Sequence, residues 1–166
     1  MAYNLLTAEG EEFGEFQGID PEGNLLWTYV TPSYSMAQLS RITPIGLYQD
    51  RYYLIEDGTV VALDLLTGNV LFENPDFRGS PAPEAMLIDD FGYLYLSGYD
   101  SPLLFIMDPE GHTVRRITDY DTDYCMPFRL TMEGDTLTIH MESDGRGGSG
   151  DFPLEITADW LPQAVG

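Results

Sequence analysis

Lysine is absent from this chain and cysteine occurs once, at Cys125. A lone cysteine excludes an internal disulfide. With neither histidine nor a second cysteine at metal-motif spacing, it reads as a small apolar residue rather than a ligand or nucleophile. All basic charge rests on seven arginines, Arg41, Arg51, Arg78, Arg115, Arg116, Arg129 and Arg146, too scattered to form a patch. Against 28 acidic residues they leave a net charge of −21. Such a charge repels DNA, RNA and anionic lipid, so no nucleic-acid partner is expected. Long hydrophobic runs are also missing. None approaches the roughly 18 residues that span a bilayer, so no membrane insertion is expected. The first twenty residues carry Glu9, Glu11, Glu12 and Glu15, which is not the basic start of a signal peptide. The compartment is left open. Helical stretches are scarce too, because glycine or proline interrupts nearly every window of about a dozen residues.

What is present is 43% apolar and 13% aromatic, with eleven tyrosines and eight phenylalanines. That composition excludes disorder and leans towards strands. A repeat organises it. Ile19-Asp20-Pro21-Glu22-Gly23-Asn24-Leu25-Leu26-Trp27 returns as Leu63-Asp64-Leu65-Leu66-Thr67-Gly68-Asn69-Val70-Leu71-Phe72, then as Met107-Asp108-Pro109-Glu110-Gly111-His112-Thr113-Val114. Asp20, Asp64 and Asp108 stand 44 residues apart. A strand-and-turn period of that length is the pattern of radial β-repeats. The expected fold is all-β and propeller-like, one domain of about 3.5 to 4 four-stranded antiparallel blades. Its units fall at about 3–48, 50–89, 92–133 and 135–159, the last long enough for two strands only.

Within the second unit Asp57-Gly58 joins two apolar runs and predicts a tight hairpin, since it tolerates positive φ. The runs Val60-Val61-Ala62-Leu63 and Leu103-Leu104-Phe105-Ile106-Met107 are apolar at every position. They suit strands packed between two sheets rather than strands with one face in water. In the last unit Thr136–Met141 alternates, with Leu137, Ile139 and Met141 on one face and Thr136, Thr138 and His140 on the other.

The stretch from Asp57 to Phe72 resembles a repeat of the quinoprotein-like β-propellers, the pyrroloquinoline-quinone-type repeat. Ala62-Leu63-Asp64, Thr67-Gly68 and the aromatic Phe72 carry the resemblance, together with Asp20, Gly23, Asn24 and Trp27 in the first unit and Asp108 and Gly111 in the third. It implies structural roles for Asp20, Gly23, Asp64, Gly68, Asp108 and Gly111: the aspartates accept backbone N–H bonds, the glycines supply left-handed turns, and the aromatic packs between blades. It does not carry the quinone over, because the chain is short for a full ring and has no vicinal cysteine pair.

Few constellations carry chemistry. Asp119, Asp121 and Asp123 alternate as in calcium loops, which makes calcium the one candidate ligand ion. The sixth position is Tyr124 rather than glycine, and the twelfth, Leu130, is no ligand, so a solvated inter-strand loop is the default reading. The glycine-rich stretch Ser143–Asp151 reads as a hairpin loop. His112 occupies the turn position of Asn24 and Asn69, and His140 sits among threonines. Gly-x-Ser-x-Gly is absent, and among 28 acidic residues no glycosidase-like pair is singled out. Tyr99, Tyr120 and Tyr124 lie in predicted loops, where rigid amphipathic rings suit recognition.

The favoured expectation is therefore a non-catalytic binding or scaffolding module for a protein or glycan partner, with no resident cofactor. The alternatives are a carboxylate-based, glycan-active hydrolase on one rim, and an acidic decoy of a basic nucleic-acid-binding protein. An incomplete last unit predicts an unpaired sheet edge or apolar blade face, and hence a homo-oligomer or part of a larger propeller.

Overall fold

In the computed structural model, residues 2–8, 11–30, 42–56, 58–77, 85–97, 104–117, 125–143 and 150–155 are described. Their regular structure is β throughout, apart from a 3-10 turn at Pro75–Phe77. Fourteen strands run in order: β1 Ala2–Ala8, β2 Glu11–Ile19, β3 Leu25–Val30, β4 Ile42–Tyr48, β5 Arg51–Glu56, β6 Thr59–Asp64, β7 Val70–Asn74, β8 Ala85–Ile88, β9 Leu94–Ser97, β10 Leu104–Met107, β11 Thr113–Ile117, β12 Cys125–Glu133, β13 Thr136–Ser143 and β14 Gly150–Glu155. They form four sheets, ordered β1-β2-β3, β4-β5-β6-β7, β8-β9-β10-β11 and β12-β13-β14. Every pairing within them is antiparallel.

The sheets are cut one strand earlier than the repeat units. β4, which the unit boundaries place at the end of the first unit, pairs instead with β5 through Tyr48↔Arg51 and Leu47↔Tyr52. β8 likewise opens the third sheet instead of closing the second unit. A period fixes the length of a repeat but not its phase. Hairpin bonding sets the phase, and the β4–β5 and β8–β9 connections are short enough to form hairpins.

Packing follows from the period-2 alternation of each strand. In β5 and β6, Tyr52, Leu54, Val61 and Leu63 face the first sheet and join Phe16 and Trp27 in one core cluster. Their alternates Tyr53, Ile55, Val60 and Ala62 join Leu94, Leu96, Phe105 and Met107 of the third sheet. The other face of the third sheet, Tyr95, Leu104 and Ile106, meets Leu130, Leu137, Ile139 and Met141 of the fourth. The central strands of both middle sheets, β5, β6, β9 and β10, are thus apolar on both faces, as strands wedged between neighbours must be. Each such side chain contributes on the order of 1.5–3 kcal/mol by leaving water. β8 packs against β4 on one side and β12 on the other, which makes these three the inner strands of a radial arrangement.

The far face of the fourth sheet differs. Arg129 and Glu133 on β12, Thr136, Thr138 and His140 on β13, and Asp151 and Glu155 on β14 alternate with the core residues. Thr131 and Asp151 bracket His140 there, with Thr131 Oγ1 2.8 Å from its Nε2 and Asp151 Oδ1 2.7 Å from its Nδ1. The described residues of this face are mostly polar, in contrast to the apolar faces of the sheets inside the stack.

Candidate functional site

The antiparallel order sends the connections between strands alternately to two ends. At one end lie short turns: β2–β3, β4–β5, β6–β7, β8–β9, β10–β11 and β12–β13. Four of these turns are built on an aspartate and a glycine. Asp20 Oδ1 accepts the Asn24 N–H (2.7 Å) and Asp108 Oδ1 that of His112 (2.8 Å). Asp64 Oδ1 accepts the N–H groups of Leu66 and Thr67 and the Thr67 hydroxyl. These bonds hold the Asp20 carboxyl below its usual range, chiefly through the Asn24 side chain, and that of Asp64 likewise, chiefly through Thr67. Gly23, Gly68 and Gly111 have φ of 89°, 72° and 93°, the left-handed region where glycine is strain-free.

Two of these glycines also receive a ring from the preceding sheet. A Cβ on Gly68 would lie 2.5 Å from the Trp27 ring, and one on Gly111 would lie 2.6 Å from Phe72. Trp27 Nε1 donates to the Leu65 carbonyl at 2.7 Å, fixing the ring over the turn. Arg51 donates to the Pro109 carbonyl, and Asn74 to that of Gly111 (2.8 Å), so the second and third sheets are also pinned by polar contacts.

The 44-residue spacing does not pick out the fourth aspartate turn, Asp89-Asp90-Phe91-Gly92. Asp89 Oδ1 accepts from Phe91 and Tyr93 N–H (both 2.9 Å), and Gly92 has φ of 88°. The signal was there, because Asp-x-x-Gly also spans Asp20–Gly23 and Asp108–Gly111. It was hidden by falling off the 44-residue register. The Tyr48 ring covers Gly92, 2.3 Å from where a Cβ would stand.

One step around, between the third and fourth sheets, the corresponding place is open. Among the described residues nothing stands within 4 Å of a Cβ on Gly134, in the β12–β13 turn. A cleft of about 500 Å³ results, lined by Leu87, Ile88, Asp89, Asp90, Phe91, Tyr95, Met132, Gly134 and Asp135. Tyr95 donates to Asp89 Oδ2 (3.0 Å), and burial raises its hydroxyl well above the usual range. Phe91 is 73% exposed at the lip.

At the opposite end the strands open into longer segments. Residues 31–41, 98–103, 118–124 and 144–149, and part of the connection after Phe77, are outside the described residues. Tyr99, Tyr120, Tyr124, Asp119, Asp121 and Asp123 all fall there, so no geometry bears on the tyrosine set or on calcium. No group of three or more His, Cys, Asp or Glu residues fit to hold a metal occurs among the described residues.

His112 serves its turn, with Nδ1 3.1 Å from Asp108 Oδ2. Thr131, His140 and Asp151 form the only hydroxyl–imidazole–carboxylate array among the described residues. Thr131 pairs with Thr138, and His140 pairs with Asp151, so the three side chains share the polar face of one antiparallel sheet. The array is a cross-strand polar ladder.

No protein-family model matches the chain, and no curated protein matches it by sequence. Among solved structures, BamB from Moraxella catarrhalis is similar with a TM-score of 0.53 at 15% identity, over 93% of this chain and 50% of that one. A streptogramin B lyase is similar with a TM-score of 0.50 at 13% identity, over 92% of this chain and 54% of that one. Both are β-propellers. The chain spans about half the length of each. At such identities the likeness concerns fold alone, and with the radial order of the sheets it shows that this chain has a propeller-like all-β fold.

Proposed function

We propose that the chain is a non-catalytic binding module, a rigid propeller frame whose longer inter-strand segments recognise a protein or glycan partner. One observation carries this reading. The central strands of both middle sheets, β5, β6, β9 and β10, are buried on both faces and rings seated on glycines lock the sheets at one end, while the longer connections lie at the other. Recognition residues are commonly set on loops held by such a scaffold. Tyr99, Tyr120 and Tyr124 belong to two of these segments, and tyrosine supplies large contact area at low entropic cost. The repeat resemblance supports a pyrroloquinoline-quinone-type blade without its cofactor, and calcium at Asp119, Asp121 and Asp123 is an accessory to the same rim. Completion of the ring by a second copy or by further blades belongs to the same reading, since the chain matches half of larger propellers.

The test is binding to glycan and protein arrays by the parent and by a Tyr99→Ser, Tyr120→Ser, Tyr124→Ser triple variant of equal melting temperature. Selective binding that the triple variant loses supports the module. Turnover of a bound glycan, or binding indifferent to the three tyrosines, overturns it.

A further inference from the structure

The cleft between the third and fourth sheets lies at the end away from those longer segments, and it is a second surface with its own chemistry. Three features define it. The place that Tyr48 fills above Gly92 is occupied by no described residue above Gly134, so a flat group can lie directly on the backbone. The walls behind it are apolar, from Leu87, Ile88 and Met132. At the lip stands Phe91, in the turn position where the other four-residue turns carry Glu22 and Glu110. The turn itself does not call for a phenylalanine, and its ring carries the apolar lining of Leu87, Ile88 and Met132 out to the mouth of the cleft.

Charge narrows the occupant. Asp89 is committed to Phe91, Tyr93 and Tyr95. Asp90 and Asp135 line the same cleft from opposite turns, and Asp135 is exposed. The chain as a whole carries −21, which draws cationic partners and repels anionic ones. A planar cation satisfies the flat floor, the ring and the carboxylates together. We propose that this cleft docks a basic segment of a protein partner by inserting an arginine. Its guanidinium lies over Gly134 and against Phe91, its fork pairs with Asp135 and Asp90, and its aliphatic stem packs along Leu87 and Met132. Arginine fits better than lysine, because only the guanidinium is flat and forked.

The experiment is an NMR titration of the full chain with a capped peptide of alternating arginine and glycine. Its lysine counterpart and its citrulline counterpart, which keeps the shape and loses the charge, are titrated alongside. Amide shifts concentrated at residues 87–95 and 132–135 are expected, with arginine binding tighter than lysine and citrulline not binding. Phe91→Ala and Gly134→Asn, the latter filling the cleft with a residue that tolerates positive φ, should each weaken binding by about tenfold. A Glu22→Gln, Glu73→Gln control removes two charges elsewhere and should leave affinity nearly unchanged. Thermal melts confirm that each variant is folded. Shifts spread over the acidic surface, a control as damaging as Phe91→Ala, or equal binding of citrulline would each overturn the proposal and leave only non-specific attraction to an acidic protein. Failure here leaves the tyrosine rim standing, since the two surfaces lie at opposite ends.

Discussion

Gly23 and Gly68 separate two reasons for a glycine. Both hold positive φ, but Gly23 meets no described residue within 4 Å of a Cβ while Gly68 lies under the Trp27 ring. Gly23→Ala is therefore expected to cost about 1–2 kcal/mol of backbone strain. Gly68→Ala adds displacement of a buried ring and should cost about 2–4 kcal/mol in all, read as a lower denaturation midpoint. Equal costs would show that the ring does not sit on the turn. Asp64 tests the turn electrostatically. Its folded pKa is depressed, so its stabilising contribution is present above its ordinary value and is lost as pH falls through the folded one. Asp64→Ala should lower stability at neutral pH and flatten the acid limb of the stability profile. Tyrosines act at the other extreme. Burial raises Tyr52 and Tyr95 above the ordinary 10.0, so their contribution is full below about pH 10 and is lost as pH climbs past it. Tyr95→Phe is expected to reduce that alkaline loss, and a pH series of melts in which parent and variant fall together would contradict it.

Between sheets the decisive residue is Trp27, 6% exposed and bonded to the second sheet through its indole N–H. Trp27→Phe keeps a ring over Gly68 and should cost on the order of 1 kcal/mol for the lost bond. Trp27→Ala should cost about 3–5 kcal/mol and uncouple the first sheet, seen as faster amide exchange in β2 and β3. Exchange unchanged in those strands would show that the first sheet does not depend on this contact. The pairing of faces was legible in the sequence, because runs apolar at every position, such as Val60–Leu63, admit few other settings. Strand phase was not legible, since 44-residue spacing is the same wherever the cut is made and only the β4–β5 and β8–β9 hairpin bonds decide it. Off-register features were missed for the same reason: the Asp89 turn breaks the spacing, and the cleft depends on a ring at Tyr48 that has no counterpart over Gly134. A pattern of residues cannot show an open volume.

The whole molecule joins a strongly acidic surface to a core shared by four sheets. Self-repulsion at −21 opposes compaction, so added salt should raise the melting temperature as the charges are screened, and a melt that is flat in salt would mean the acidic residues are too dispersed to repel. The polar face of the fourth sheet sets a limit on how further blades can dock there, because Thr131, His140 and Asp151 already satisfy one another. Everything proposed for either end of the frame depends on the sheets being locked ring on glycine around a common centre. The most direct test is a nuclear Overhauser spectrum of the isotope-labelled protein. Cross-peaks are predicted from the Trp27 ring to the Gly68 α-protons and from the Phe72 ring to those of Gly111, with both glycines shifted upfield by the ring currents. Glycine α-protons at ordinary shifts, with no cross-peak to either ring, would contradict the docked-sheet frame.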